Sequence, residues 1–234
     1  MALKAIFFDI DDCLFPSTRF AELARRNAVN AMVEAGLKGE PERVYGTLLK
    51  VIKKCGSNYE CHFDVLLEEM RVKRDAKIIA AGISAYHNTK TSILPFPEVP
   101  RTLVKLRELG YKLYVASEGN AVKQWDKLIR MGIYLLFDDV FVSEEIGCEK
   151  SPYFFAKILK KLKLKASEAV MVGDRIDKDV ASAKKAGIFT VRVIQEGKFT
   201  REKAVRKEEK ADCVIKNVGE LQKALKAIER KSRK

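Results

Sequence analysis

Histidine is nearly absent from this chain of 234 residues, with His62 and His87 its two representatives. Cysteine is sparse as well: five residues, an odd number, and no Cys-x-x-Cys pair. A structural zinc site, which asks for four Cys or His ligands at short regular spacing, is therefore not expected. Nor is the disulfide framework of a secreted mini-domain. Cys55 and Cys61 are close enough in sequence to pair, and the simpler reading is two separate thiols in a helical segment. Glutamine is scarce, limited to Gln124, Gln195 and Gln222, while Lys and Glu are abundant. That bias is seen in proteins of hyperthermophiles, a setting in which an intracellular disulfide is less unusual. No apolar run reaches the roughly 18 residues that a membrane span needs. Met1 to Ala5 lead straight into a strand-like run with no signal peptide in view, so a soluble, cytoplasmic protein is expected.

What the chain does have is apolar residues and positive charge. At 47% hydrophobic it can bury a sizeable core, and its length suits one or two domains. Lysine and arginine exceed aspartate and glutamate by a net +13, a balance that raises the question of a nucleic-acid partner. The excess sits in two places: residues 150–165 carry six lysines and no acid, and residues 198–234 carry 13 basic and six acidic residues. Apart from Lys150, these lysines follow helix positions and a tail. They read as a solvated face, so a nucleic-acid partner is not expected, and the oligomeric state is left open.

Hydrophobic patterning alternates strand with helix over most of the chain. Strands are expected at Lys4–Ile10, Tyr111–Ser117, Asp139–Ser143, Ala169–Asp174, Phe189–Ile194 and Cys213–Lys216. Helices are expected at Val99–Leu109, Val122–Met131, Pro152–Leu164 and Val180–Lys185, several closed by a glycine. A last helix follows Asn217, which with Glu220 has the spacing of a capping box. Such alternation implies an α/β fold, a Rossmann-like parallel sheet with helices on both faces. Residues 16–94 break it, reading as consecutive helices (Phe20–Ala35 and Glu42–Lys54 among them). The expected organisation is a core domain of residues 1–15 and 95–234 with an all-helical insertion at 16–94. The two chain crossings, Phe15–Thr18 and the proline-rich Ile93–Pro97, are where a hinge belongs.

In open α/β sheets ligands bind outside the carboxyl ends of the strands, and polar residues gather there in this sequence. The first strand ends in Asp9-Ile10-Asp11-Asp12. The second ends in Ser117-Glu118-Gly119, the third is followed by Lys150-Ser151-Pro152, and the fourth ends in Gly173-Asp174 with Asp179 five residues on. Carboxylates without a histidine suit a hard, oxygen-seeking cation, Mg²⁺ rather than Zn²⁺. Mg²⁺ with a lysine and a hydroxyl is what a phosphoryl group needs. A carboxylate beside them can be a nucleophile, and a second one two residues on can serve as general acid and base.

These residues resemble the haloacid dehalogenase superfamily, in the subgroup with a helical cap between the first and second motifs. Asp9-Ile10-Asp11 matches motif one, Ser117 motif two, Lys150 motif three, and Gly173-Asp174 with Asp179 motif four, in order, over residues 4 to 197. The resemblance implies a Mg²⁺-dependent phosphatase acting on a small phosphorylated metabolite through an aspartyl phosphate. Asp9 is then nucleophile and metal ligand. Asp11 is general acid and base and a metal ligand through its carbonyl. Asp174 is a metal ligand, and Asp179 supports the metal site. Ser117 and Lys150 bind phosphate, with N–H groups near Asp12 and Glu118. The cap is expected to select the substrate. A phosphotransferase or mutase on the same site, and a basic nucleic-acid-binding or regulatory protein with a degenerate site, are the alternatives. Dehalogenase chemistry, which has no use for the acid at Asp11, is disfavoured. Two positions depart from the family pattern. Cys13 stands where threonine is usual, which implies changed packing with activity kept. Glu118 stands where an amide is usual, placing an extra carboxylate near an anionic substrate.

Overall fold

The computed structural model describes residues 2–57, 59–195 and 197–232. It divides into two compact units, Met1–Thr18 with Leu94–Lys234, and Arg19–Ile93.

The first unit is built on six parallel strands: β1 (Ala5–Phe8), β2 (Lys112–Ser117), β3 (Asp139–Val142), β4 (Ala169–Gly173), β5 (Phe189–Val193) and β6 (Cys213–Ile215). Their order is β3-β2-β1-β4-β5-β6. Winding outward from β1 changes direction between β1 and β4, and that switch opens a crevice at the carboxyl ends of the central strands. All four residues of β1 are buried, as a strand covered on both faces must be. Phe7, Tyr114, Phe141 and Met171 project to one face, against Phe154, Phe155, Ile158 and Ala183.

The second unit holds α1 (Ser17–Glu34) from Arg19 onward, with α2 (Pro41–Cys55), α3 (His62–Glu69) and α4 (Ala76–Lys90). Val29, Met32, Leu48, Leu66 and Ile79 belong to its core. Pro41 at the first turn of α2 has no N–H to leave unpaired. The Asp75 carboxylate caps α4 by accepting from the N–H groups of Lys77 and Ile78.

Around the sheet lie α5 (Val99–Glu108), α6 (Ala121–Arg130), α7 (Ser143–Ile146), α8 (Pro152–Leu162), α9 (Ser182–Lys185) and α10 (Leu221–Ser232). Asn120 caps α6, accepting from the Lys123 N–H. Ser151 caps α8, with Pro152 at its first position. None of the described helices is long and apolar enough to cross a membrane.

Several elements differ from the sequence expectation. The first strand ends at Phe8, because Asp9 to Asp12 turn away to form the site. Ser143 opens a short helix instead of closing β3. The segment expected as one helix from Val180 to Lys185 begins earlier, as a π-helical turn over Ile176–Ala181. The capping box at Asn217 is not formed: the Asn217 side chain makes no cap bond. Glu220 accepts instead from the Lys216 N–H at 2.9 Å, since a 3-10 turn over Val218–Glu220 precedes α10 and shifts the geometry. Cys55 and Cys61 are both free thiols, as are the other three cysteines.

Candidate active site

The ends of β1, β2 and β4, together with the loop before α8, assemble the site, and each element supplies a different group. At the end of β1 the Asp9 N–H makes one more bond, to the Val172 carbonyl of β4 at 2.9 Å. The same carbonyl lies 3.6 Å from the Cys13 thiol, which is fully buried. Cys13 thus packs beneath the turn and donates to β4. Burial pushes its thiol up, with Asp9, Asp174 and Asp179 adding to the effect, so it stays protonated.

Asp12 takes a left-handed conformation, φ 52°, which aspartate tolerates better than most side chains. Its carboxylate accepts the N–H and the hydroxyl of Thr18, tying the turn to the start of α1. Gly197 lies so close that a Cβ there would sit 2.8 Å from Asp12 Cγ. The Asp12 N–H, expected to serve phosphate, donates instead to the Phe15 carbonyl at 3.0 Å. The tightness of the turn directs it inward.

Lys150 is the buried cation of the site, 1% exposed. Its Nζ lies 2.9 Å from Asp9 Oδ1 and also pairs with Asp179 Oδ1. Asp179 reaches that position because residue 173 is glycine: a Cβ there would lie 2.2 Å from Asp179 Oδ2. The π-helical turn brings Asp179 back under the end of β4, where Oδ2 accepts the Arg175 N–H at 2.9 Å. Asp9, Asp174 and Asp179 each place a carboxylate oxygen within 4.8 Å of the others.

The Asp11 carboxylate is outside that trio. It points to α6, where Lys127 Nζ lies 2.6 and 2.7 Å from its two oxygens and Gln124 Nε2 lies 3.3 Å away. Gln124 also donates to the Glu118 carbonyl at 2.7 Å. Neither residue stood out in the sequence as a site residue. Gln124 carried a signal nonetheless: it is one of three glutamines, on a helix that starts beside the end of β2. Ser117, the last residue of β2, is 1% exposed and faces the same edge as Asp9. The Glu118 carboxylate is engaged by the chain's own groups. Its Oε2 accepts the Lys150 N–H at 2.7 Å and lies 3.4 Å from Lys178 Nζ.

The electrostatics follow from packing carboxylates together away from water. Burial pushes Asp9 up to about 6; Lys150 opposes the shift, while Asp179 and Asp11 reinforce it. Burial also pushes Asp174 up to about 9, with Asp179, Asp9 and Asp12 adding repulsion. Burial would lower Lys150, but the charges of Asp179 and Asp9 outweigh it and hold the ammonium above the usual lysine range. Asp9 and Asp179 thus share one buried cation, and Asp174 lies beside them without it. The donors are all oxygen, with no thiolate or imidazole, and that set fits a hard divalent ion.

The family model of haloacid dehalogenase-like hydrolases matches residues 3–187. The chain is 49% identical over 201 residues to glyceraldehyde 3-phosphate phosphatase of Methanopyrus kandleri, covering 84% of this chain and 86% of the relative. It is 45% identical over 230 residues to the enzyme of the same name from Methanocaldococcus jannaschii, covering 97% and 99%. In fold it resembles a haloacid dehalogenase-like hydrolase of Xanthomonas campestris, with a TM-score of 0.73, 17% identity, and 100% of this chain and 99% of the other covered.

Proposed function

Since the chain belongs to the haloacid dehalogenase-like hydrolases and is a phosphoric monoester hydrolase of that family, we propose that its substrate is glyceraldehyde 3-phosphate and that Mg²⁺ is its cofactor. The observation that carries the mechanism is the buried Lys150–Asp9 contact at the end of β1, beside Asp174 and Asp179. The substrate assignment is supported by the two phosphatases of that name, which align with most of the chain.

Asp9, Asp174 and Asp179 would hold the metal, with the Asp11 carbonyl completing the protein ligands. Bound there, Mg²⁺ supplies positive charge to the carboxylates and to the phosphoryl oxygens. The chain's own residues do the rest. Lys150 holds Asp9 in one orientation and neutralises the incoming phosphate. The Ser117 hydroxyl and the N–H groups of Ile10, Asp11 and Glu118 fix the phosphoryl oxygens. An Asp9 oxygen attacks phosphorus as the bond to the glyceraldehyde oxygen breaks, and Asp11 gives that oxygen its proton. Asp11 then takes a proton from water, whose oxygen attacks phosphorus, and the Asp9–phosphorus bond breaks to release inorganic phosphate.

The test is phosphate release from glyceraldehyde 3-phosphate with Mg²⁺. Asp9→Asn is expected to lose more than about 1000-fold in kcat with an unchanged circular dichroism spectrum. Turnover retained by that variant would sink the nucleophile assignment. Activity on other monoesters but none on glyceraldehyde 3-phosphate would sink the substrate.

A further inference from the structure

Lys150 carries a buried charge on an irregular stretch of chain. Its ammonium lies between Asp9 and Asp179, yet its backbone belongs to the loop between α7 and α8. A long lysine side chain delivers its charge accurately only if its backbone is held. On the C-terminal side the start of α8 provides this, with Ser151 as its cap. On the N-terminal side the Lys150 N–H joins no ladder and donates to Glu118 Oε2 at 2.7 Å. A charged acceptor makes this bond shorter and stronger than a neutral one.

The charge of Glu118 is itself balanced. Lys178, in the π-helical turn after β4, places Nζ 3.4 Å from Glu118 Oε2 and 2.8 Å from Glu149 Oε2. The end of β2, the loop before α8 and the turn after β4 are thereby joined by one chain of charges, and all three carry groups of the active site.

We propose that Glu118 is a positioning residue for Lys150, with Lys178 as its counter-charge. This rests on the phosphatase reading above and gives a role to the departure from the family's usual amide. A carboxylate at this position does not repel the substrate phosphate; it sets the residue that attracts it. Asparagine, one methylene shorter, would not span from the end of β2 to the Lys150 N–H.

Full-length wild type, Glu118→Ala, Glu118→Gln and Lys178→Met are compared with Mg²⁺ on glyceraldehyde 3-phosphate and on p-nitrophenyl phosphate. A misplacement of Lys150 by about 1 Å is worth on the order of 100-fold in rate, so Glu118→Ala should lower kcat by about that factor on both esters. Glu118→Gln keeps an oxygen acceptor at the same reach and should stay within about 5-fold of wild type, as should Lys178→Met. A role confined to stability would make Ala and Gln equal in kcat at a temperature where both are folded. That equality, or wild-type kcat in Glu118→Ala, would overturn the proposal. Should Glu118→Ala fail to fold, Glu118→Asp, too short to make the contact, replaces it with the same expectation. Wild type inactive on both esters would defeat the phosphatase reading instead. The crystal structure of Glu118→Ala then decides alone: Lys150 Nζ withdrawn from Asp9 supports the proposal, and the contact kept at its present length overturns it.

Discussion

Single side chains give the carboxylates of this site different surroundings. Asp9 and Asp11 are two residues apart, yet Asp9 is held by buried Lys150 and Asp11 by half-exposed Lys127. Lys127 fixes both oxygens of Asp11 without touching the Asp9, Asp174 and Asp179 trio. On the acid–base role proposed for Asp11, Lys127→Met should lower kcat about 10-fold through loss of its orientation, with KM within about 2-fold of wild type. Steady-state kinetics check this, and a rise in KM with kcat unchanged would place Lys127 in substrate binding instead. Gly173→Ala is the harsher change. Its Cβ would have to occupy space 2.2 Å from Asp179 Oδ2, displacing the partner of Lys150. Activity should fall more than about 100-fold and Tm should fall as well, because the displaced carboxylate gives up buried Lys150 and the Arg175 N–H; differential scanning fluorimetry alongside kinetics checks both. Asp9, Lys150 and Asp174 could be picked out from the sequence because the phosphoryl chemistry proposed for this site asks for their residue types at strand ends, and the fold does bring them together. The sequence left Lys127, Gln124 and Lys178 unread, since a lysine or glutamine on an amphipathic helix looks the same whether it faces water or a carboxylate from another strand.

Elements matter here mostly at their ends. β1, β2 and β4 were readable as strands from their apolar runs, but the turns after them were not. The segment after β4 reads as an ordinary helix start, and only tertiary contact with the end of β4 makes it a π-helical turn that returns Asp179 to the site. The segment after β5 shows the same dependence. Arg192, buried on β5, donates to the carbonyls of Asp174, Phe199 and Glu202, so one guanidinium ties the turn carrying a carboxylate of the buried cluster to the chain beyond Gly197. That chain in turn lies against Asp12. Nothing in the sequence distinguishes Arg192 from the other 44 basic residues, because its acceptors are backbone carbonyls. Arg192→Met would leave three carbonyls without their donor, at about 1 kcal/mol each. The expected loss of about 3 kcal/mol corresponds to a Tm lower by roughly 10 °C for a unit of this size. Scanning calorimetry checks it, and a Tm within 2 °C of wild type by rough allowance for solvent access would show that water replaces the guanidinium.

At the scale of the molecule, strand–helix alternation was enough to read a parallel sheet, while the strand order was not, because the reversal of winding between β1 and β4 leaves no mark in hydrophobic pattern. That reversal gathers acidic residues from distant parts of the chain into one buried place, and the consequence is a protein whose stability depends on pH through its own active site. Asp174 is raised from an ordinary 3.8 to about 9 and Asp9 to about 6. Over that interval the unfolded chain has released protons that the folded chain still holds. Stability from these groups is therefore full below pH 4 and declines as pH rises toward 9. Asp138, Asp177 and Glu209 are shifted the other way, so their contribution is present above about pH 4 to 5 and lost only in acid. Between pH 6 and 9 the direction is then set by the buried cluster, with Lys150 remaining charged throughout. The metal-free protein should lose a few kcal/mol over this range. If Mg²⁺ binds these carboxylates as proposed, it takes the place of the retained proton, so the Tm gain on adding the ion should grow from pH 6 to pH 9. Asp174→Asn removes the titrating group and should flatten the metal-free dependence. Thermal denaturation with EDTA or with excess Mg²⁺ at a series of pH values measures each of these. A Mg²⁺-induced Tm gain that stays constant from pH 6 to 9 would mean that the ion does not bind at Asp9, Asp174 and Asp179.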